Sequence, residues 1–366
     1  MKITKIETIA YGIPVKGFAD AYTSFTRSDA ILVKIYTDEG YVGIGEACAW
    51  EPEFYGETRE SIESTILNYA APKIIGEDPF NIGHIMRILD LNLARITCVK
   101  EGIDLALHDL LGKILNVPVY KLLGGKFRDK IEIGSEIGIK SPQEMADNAL
   151  RVLEEGIRVI KIKGSDNMRL DVDRIKTVRA AVGDDVELRL DPNAAWDTIG
   201  SIRVMRAVED CNLQLLEQPI PNWDLKGMAH IRSKIGVPVM ADESIWTPQD
   251  AVKIHDYGAA DLLNLKIAKT CGLYLGKKVE AVAEALGLPC IAGTELEPGI
   301  SAVAKIHLAA SMKIHPIASE FTELTQVDGS ILKQPLKVVD GCLEVPEGPG
   351  FGVEIDEDAL EKYRIK

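Results

Sequence analysis

Short apolar runs alternate with amphipathic stretches over residues 130–321. The stretches between the runs, such as SPQEMADNALRVLEEG, carry apolar residues at helical spacing. Continuous apolar strands separated by helices predict a parallel sheet that is covered on both faces. Eight such strands fit a closed βα barrel better than an open sheet. The eight runs are IEIGSEIGI, RVIKIKG, VELRLDP, LQLLEQP, VPVMADES, DLLNLKI, LPCIAGTELE and PIASEF.

The first 123 residues follow a different pattern. ITKIETIAY and AILVKIYT alternate between apolar and polar residues, and a turn at 38–40 then leads into YVGIGEA, which predicts an antiparallel hairpin. Residues 58–123 show helical spacing, and Gly124-Gly125 ends this part. We therefore predict an α+β domain at 1–127, a barrel domain at 128–325, and a C-terminal segment at 326–366 that packs back on the first domain.

Composition excludes several classes of function. The formal net charge of −14 argues against nucleic-acid binding, which needs a basic face. No continuous apolar segment suggests a membrane span or a signal peptide. The six cysteines are scattered, without the spacing of a zinc or redox site. We expect reduced thiols in a soluble cytoplasmic protein that has neither nucleic acid nor a membrane as a partner.

A spaced series of charged residues ends five consecutive runs of the predicted barrel. Lys163, Asp191, Glu217, Asp242 and Lys266 follow one another at steps of 28, 26, 25 and 24 residues, about one strand and helix each. A parallel barrel brings the carboxyl ends of its strands to one rim. Three carboxylates with neither histidine nor cysteine among them suit Mg²⁺, with Mn²⁺ as an alternative. Three neighbours are expected to orient the ligands: Asn193, Gln218 and Glu243.

The lysines of this series predict acid/base chemistry. Lys163 and Lys266 would lie on opposite sides of the barrel mouth, on the second and sixth strands. A lysine beside a cation has its ammonium form disfavoured, so we expect a lowered pKa that suits a general base. Lys161 shares the face of Lys163 because alternate strand residues point the same way. It would supply positive charge to a substrate carboxylate.

These segments together resemble the enolase superfamily, specifically its muconate-lactonizing subgroup. GIDLALHDLLGKILNVPVYKLLGG is similar to the segment between the family's two domains, and the strand ends match in order. The resemblance implies an α/β fold: a modified TIM barrel, (β/α)7β, with an α+β capping domain. It also implies Mg²⁺ held by the three carboxylates, acid/base lysines at 163 and 266, and a small carboxylate substrate. Members of the subgroup are often homo-oligomers.

The resemblance leaves the reaction open, because racemases, epimerases, cycloisomerases and dehydratases share these residues. The eighth strand reads Glu320-Phe321-Thr322-Glu323, whereas dipeptide epimerases tend to show Asp-x-Asp there. Glu295 and Glu297, at the end of the seventh strand, add negative charge near the same rim that would attract a cationic nitrogen. The alternative is that one or more of these glutamates holds a lysine of the barrel. We therefore predict a racemase or epimerase of an amino-acid derivative, acting through an enediolate. The alternatives are a muconate-type cycloisomerase, a syn-dehydratase of a β-hydroxy acid, and a non-catalytic metal-binding relative.

Two segments of the first domain are predicted to cover the barrel mouth. Residues 18–28 and 49–56 are rich in aromatic residues, in a chain with only 6% aromatic content. Such side chains would form an apolar lid that excludes water. The predicted substrate-binding residues are Tyr22, Phe25, Phe54, Tyr55, Thr294, Glu295 and Glu320, and Trp50 is a further candidate for the lid.

Overall fold

Eight parallel strands form an almost closed barrel in the computed structural model, which describes residues 1–49 and 52–366. The first seven strands each pair with their neighbour in sequence, and the eighth strand pairs with the first. The seam between the seventh and eighth strands is bridged by the Ala292 amide, which donates to Ser319 Oγ at 3.0 Å. The strands are β4 (Lys130–Ile137), β5 (Val159–Lys163), β6 (Glu187–Asp191), β7 (Leu215–Glu217), β8 (Val239–Ala241), β9 (Leu262–Leu265), β10 (Cys290–Ala292) and β11 (Ser319–Glu320).

A helix follows each of the first seven strands, which confirms the predicted (β/α)7β arrangement. Sequence signals set where several of them begin: Ser141 and Thr247 each form a capping box, with a proline at the first helical position. The helices are α7 (Pro142–Glu154), α8 (Met168–Val182), α9 (Thr198–Ala207), α10 (Leu225–Arg232), α11 (Pro248–Tyr257), α12 (Leu273–Ala285) and α13 (Ile300–Ser311), and the shorter α14 (Glu323–Gln326) follows β11.

Before the barrel lies an antiparallel sheet of three strands with helices against it. The predicted hairpin is confirmed, since the second and third strands pair antiparallel. The longest helix packs on the third strand, and a Cβ at Gly45 would lie 2.2 Å from the Gly102 carbonyl oxygen, so this contact requires glycine. The elements are β1 (Ile3–Ala19), β2 (Ser24–Thr37), β3 (Val42–Cys48), α1 (Pro52–Tyr55), α2 (Arg59–Thr65), α3 (Ala71–Ile74), α4 (Ile82–Asn92), α5 (Thr97–Leu115) and α6 (Val119–Leu122).

The C-terminal residues contact both the barrel and the first three strands. The strand β12 (Cys342–Glu344) pairs antiparallel with β4. The helix α15 (Glu357–Tyr363) ends beside Arg364, which bridges to Tyr11 of β1. The exact domain limits at 127 and 325 stay a prediction.

The described residues contain no helix that is long and apolar enough to cross a membrane. All six cysteines are free thiols, and five of them are buried.

A buried glutamate joins the N-terminal sheet to the barrel. Glu46 of β3 accepts hydrogen bonds at 2.6 Å from Tyr11 Oη and from the Ile300 amide at the start of α13. Burial raises the pKa of Glu46 to about 7, although these hydrogen bonds act in the opposite direction. The folded protein therefore keeps a proton on Glu46 at pH values where the unfolded chain, with the ordinary value of 4.5, has lost it.

We expect Glu46 to make stability fall as the pH rises from 4.5 to 7. Its contribution is fully present below pH 4.5 and is lost as the pH passes the folded pKa. The stability difference between wild type and Glu46→Gln should thus favour the wild type by about 3 kcal/mol more at pH 4.5 than at pH 8. Urea unfolding at both pH values measures this, with the exposed Glu187→Gln as control. An equal difference at the two pH values would contradict the assignment.

Candidate active site

The structure brings the predicted carboxylates and lysines together at one end of the barrel. Asp191 and Glu217 end β6 and β7, and Asp242 follows β8 directly. Lys163 ends β5 and Lys266 follows β9. All five side chains are buried although each is charged. Burial of so many charges is unfavourable unless the groups compensate one another, so the contacts among them define the site.

Lys161 lies at the centre of this group. Its Nζ is 2.7 Å from Glu136, 2.8 Å from Glu217 and 2.7 Å from Glu320. Asp191 is 3.5 Å away. Burial disfavours the ammonium form, but these four carboxylates outweigh it and raise the pKa of Lys161 well above its ordinary value. Lys161 is therefore a permanent cation that holds the carboxylates together.

Lys163 is the candidate base nearest to Asp191, with Nζ 2.7 Å from Asp191 Oδ2. Burial acts to lower the pKa of Lys163, but Asp191 and Glu136 raise it above the ordinary value. This direction is opposite to the one predicted from sequence, because the protein's own carboxylates face the lysine here. A divalent cation on Asp191 would cancel that attraction and restore the predicted direction.

Asp242 is shared by two lysines. Lys269 donates to Asp242 Oδ1 and, at 2.5 Å, to the Asp242 carbonyl oxygen. Lys266 Nζ is 3.0 Å from Asp242 Oδ2, although this oxygen receives no hydrogen bond of good geometry. Despite burial, Lys266 and Lys269 hold the pKa of Asp242 well below its usual range. Asp242 is therefore a carboxylate with one oxygen that remains available.

The three neighbours of the carboxylates hold the strand ends in place. Gln218 Oε1 accepts from the amides of Asp242 and Ser244 at 3.1 and 3.2 Å. The Asn193 amide donates to Asp191 Oδ1 at 2.9 Å, and its Nδ2 lies 3.3 Å from Glu243 Oε1. Asn193 and Gln218 adopt φ values of 47° and 23°, in a region that costs a non-glycine residue roughly 1–2 kcal/mol. Such strain is typical of functional sites.

Negative charge exceeds positive charge at this rim. Seven buried carboxylates face five buried cationic groups, so two negative charges remain when all are ionised. Burial raises the pKa of Glu243 to about 8, and the negative charges of Asp242 and Asp191 add to this shift. The carboxylates are Glu136, Asp191, Glu217, Asp242, Glu243, Glu295 and Glu320, and the cations are Lys161, Lys163, Arg189, Lys266 and Lys269.

The residues fit a divalent cation in donor chemistry and in charge. Three carboxylates are the oxygen donors that Mg²⁺ prefers, and its positive charge offsets the excess of negative charge at the rim. Asn193 Oδ1 and Asp242 Oδ2 are buried oxygens without a hydrogen-bond partner. Within residues 1–49 and 52–366, no three His, Cys, Asp or Glu side chains stand at metal-ligand spacing, because these carboxylates point at lysines.

Lys163 and Lys266 line one cavity, which also has acidic walls. Asp20, Glu136 and Glu295 line the same space. Burial raises the pKa of Glu295 to about 7, while Lys266 acts to lower it. A small molecule in this cavity meets the two lysines and a wall that favours positive charge.

Aromatic side chains from both parts of the chain cover Lys266. Its Nζ lies 5.1 Å from the centre of the Phe54 ring. Phe54 stacks on Trp246 at 5.6 Å between ring centroids, and it meets Tyr22 edge-on at 6.0 Å. Tyr55 contacts Trp246 and donates to Glu295 Oε1. Tyr22, Phe54 and Tyr55 therefore lie where a lid is needed.

One predicted lid residue, Phe25, lies away from this aromatic group. Phe25 is buried and stacks on Phe18, with 6.5 Å between ring centroids. Phe18 itself lines the cavity, so Phe25 lies behind the lining. Trp50 lies outside the described residues.

Glu320 does not face the cavity as its predicted substrate contact requires. Its carboxylate accepts from Lys161 at 2.7 Å, from Asn264 at 3.1 Å and from Arg189 at 3.4 Å. The prediction failed to include these partners, which come from three other strands. The contacts favour a role in holding Lys161.

Several residues of the site were missed or left undecided by the sequence reasoning. Glu136 and Arg189 are buried, but their strands also carry other charged residues, so a charged residue beside apolar neighbours was only a weak signal. Lys269 carried the same signal in IAKTCG. Trp246 had none, because its role depends on Phe54, which is almost 200 residues away.

Comparison with known proteins supports this picture over the whole chain. Residues 4–124 match the model "Mandelate racemase / muconate lactonizing enzyme, N-terminal domain", and residues 144–359 match "Enolase C-terminal domain-like". The chain belongs to this family and is an isomerase of the enolase superfamily, with the muconate-lactonizing subgroup's fold.

Relatives with different named reactions are similarly close. The L-Ala-D/L-Glu epimerase of Clostridium acetobutylicum is 36% identical over 93% of this chain and 94% of its own. The N-succinyl-L-Arg/Lys racemase of Bacillus cereus is 34% identical over 100% and 98%, and its crystal structure superposes with a TM-score of 0.95. Muconate cycloisomerase 1 of Rhodococcus opacus is 32% identical over 99% and 98%.

A solved structure bears on the metal. The dipeptide epimerase of Enterococcus faecalis, complexed with Mg and the dipeptide L-Leu-L-Tyr, has a TM-score of 0.91 and 32% identity, and covers 97% of this chain and 100% of its own. The predicted enzyme class and Mg²⁺ dependence are therefore supported by the family.

We expect Mg²⁺ to stabilise the folded protein beyond any general salt effect. A ligand present at 100 times its Kd adds about 2.7 kcal/mol to the unfolding free energy. Urea unfolding in MgCl2 and in choline chloride of equal ionic strength measures the difference. This difference in stabilisation should shrink in Asp242→Asn, and it should persist in Asp173→Asn, which changes an exposed carboxylate. Equal stabilisation by the two salts would contradict the site.

Proposed function

We propose that this enzyme racemises or epimerises an amino-acid derivative that carries a free carboxylate, and that an N-substituted amino acid is its substrate. The observation that carries the proposal is the shared cavity of Lys163 and Lys266, whose other charged lining residues are acidic. Lysines from the second and sixth strands approach a bound molecule from different sides.

The two lysines supply a base and an acid for one carbon. One of them, in its neutral form, takes the α-proton, and the electron pair left on the α-carbon delocalises onto the carboxylate as an enediolate. The other lysine, in its ammonium form, delivers a proton to the opposite face, so the configuration inverts and no atom is lost. The reverse reaction exchanges the roles of the two lysines.

Asp191, Glu217 and Asp242 would hold Mg²⁺, which would supply positive charge to stabilise the negative charge that develops on the substrate carboxylate. Contacts among the chain's own residues fix the position of Glu217. Lys161 holds Glu217 at 2.8 Å, Glu320 in turn holds Lys161 at 2.7 Å, and Arg189 lies 3.4 Å from Glu320. The lid of Tyr22, Phe54 and Tyr55 limits the access of water to the enediolate.

The acidic wall favours an amino-acid derivative over a muconate. A muconate brings a second carboxylate, which Asp20 and Glu295 would repel. Asp20 and Glu295 would instead attract a substrate nitrogen that donates hydrogen bonds, or a cationic side chain of the substrate. Muconate cycloisomerisation remains the second candidate, because a relative with that name covers the whole chain.

The eighth strand favours an N-substituted amino acid over a dipeptide. The amino end of a dipeptide is a free ammonium group, and the binding site needs a carboxylate that pairs with it. Glu320 is taken by Lys161 and Arg189, and Glu323 is paired with Lys305. Neither carboxylate is available for that ammonium group. Homo-oligomerisation and a cytoplasmic location stay predictions.

Proton exchange in D₂O tests this function directly. The protein is incubated with Mg²⁺ and separate pools of N-acyl amino acids, N-methylated amino acids, dipeptides, β-hydroxy acids and muconates, and NMR follows the α-proton and the products. We expect deuterium at the α-carbon of both stereoisomers in an N-substituted pool. Lys163→Ala and Lys266→Ala should slow racemisation by about 10²–10⁴-fold.

The exposed Lys313→Ala, which removes a lysine paired with Glu284, is the matched control and should retain activity. Turnover of a muconate without exchange in any amino-acid pool would establish the second candidate instead. Exchange in the dipeptide pool alone would overturn the choice of an N-substituted substrate.

A further inference from the structure

A lysine that the proposed reaction does not use is buried behind the seventh and eighth strands. Lys305, on α13, has no exposed surface. Its Nζ lies 2.8 Å from Glu297 Oε2 and 3.0 Å from Glu323 Oε1, and it stands 4.3 Å from the centre of the Phe321 ring. A fully buried charge is unfavourable unless its contacts compensate for the loss of water. These two glutamates do so.

Both glutamates also contact the wall of the active-site cavity. Glu297 Oε2 accepts the Glu295 amide at 3.0 Å. Glu323 Oε2 accepts from Thr294 Oγ1 at 2.9 Å. Thr294 and Glu295 line the cavity together with Lys163 and Lys266. Glu297 therefore connects Lys305 to the backbone of this wall, and Glu323 connects Lys305 to the side chain of Thr294.

The wall segment, residues 294–296, needs such support because its backbone is strained. Leu296 adopts a φ of 51°, in the left-handed region that disfavours residues with a Cβ. Its amide donates to Thr294 Oγ1 at 3.2 Å, and its carbonyl accepts from Ser28 Oγ of β2 at 2.7 Å. Such a conformation persists only where the surrounding contacts determine it.

We infer that Lys305 is a positioning residue that fixes the substrate-facing segment 294–296 through Glu297 and Glu323. This rests on the proposed function only in assigning the segment to substrate recognition. Without Lys305, two buried carboxylates would face each other with no cation between them. One would take a proton or turn away, and the acceptors of the Glu295 amide and of Thr294 would be disturbed. The residue thus acts on selectivity and not on the proton transfer itself.

Lys305→Met tests the inference, with Lys100→Met as the matched control. Lys100 is also buried and holds one ion pair, with Asp90 at 2.8 Å. Hydrogen–deuterium exchange is measured on the peptide that covers 294–297, which needs no substrate. We expect exchange of this peptide to be about tenfold faster in Lys305→Met and unchanged in Lys100→Met. Equal exchange in the wild type and Lys305→Met would overturn the inference.

Kinetics on the substrate found by proton exchange give a second readout. KM should rise about tenfold in Lys305→Met while kcat stays within about threefold, because the lysines at 163 and 266 are untouched. A fall in kcat of about tenfold with an unchanged KM would contradict a positioning role. A wild type that exchanges no substrate would refute the proposed function, and the peptide measurement would still decide the role of Lys305.

A charge-neutral triple variant covers the case in which Lys305→Met does not fold. Lys305→Met with Glu297→Gln and Glu323→Gln removes the lysine and both buried charges. The inference predicts a folded protein in which the 294–297 peptide still exchanges faster and KM is still raised. Protection and KM equal to the wild type would show that Lys305 only balances charge, and would overturn the inference.

Discussion

The attraction between buried lysines and buried carboxylates at the barrel mouth is the constraint on which the rest of the site depends. Lys161 alone has Nζ within 3.5 Å of four carboxylates that come from four different strands. Removing either partner would leave a buried charge without compensation. The strand ends, the strained backbone at Asn193 and Gln218, and the lid over Lys266 are all arranged around this group of charges.

Charge balance also explains why the chain needs a cation as well as lysines. Four lysines and Arg189 nearly neutralise the rim but leave an excess of negative charge when all groups are ionised, and burial together with the charges of Asp242 and Asp191 raises the pKa of Glu243. We propose that a site of this kind attracts a divalent cation and holds a substrate carboxylate close to Lys163 and Lys266. A second, separate group of buried charges lies around Lys305. Its carboxylates, Glu297 and Glu323, contact the segment 294–296 that we assign to the substrate-facing wall.

Sequence patterns predicted the barrel and its rim because both follow the chain locally. An apolar run predicts a strand, and the charged residue at its end predicts a position on the rim, as for Asp191 and Lys266. The partners of Glu320 could not be predicted, since Lys161 and Arg189 lie more than 130 residues earlier and meet it only through the closure of the barrel. Trp246 also depends on such a distant contact, with Phe54.

Exchange measured separately on each enantiomer tests the central claim, that Lys163 and Lys266 act from opposite faces. Each pure enantiomer of the substrate is incubated in D₂O with Lys163→Arg or with Lys266→Arg. We predict that each variant loses inversion but still exchanges the α-proton of one enantiomer, and that the two variants retain opposite enantiomers. Loss of exchange for the same enantiomer in both variants would contradict two opposed bases.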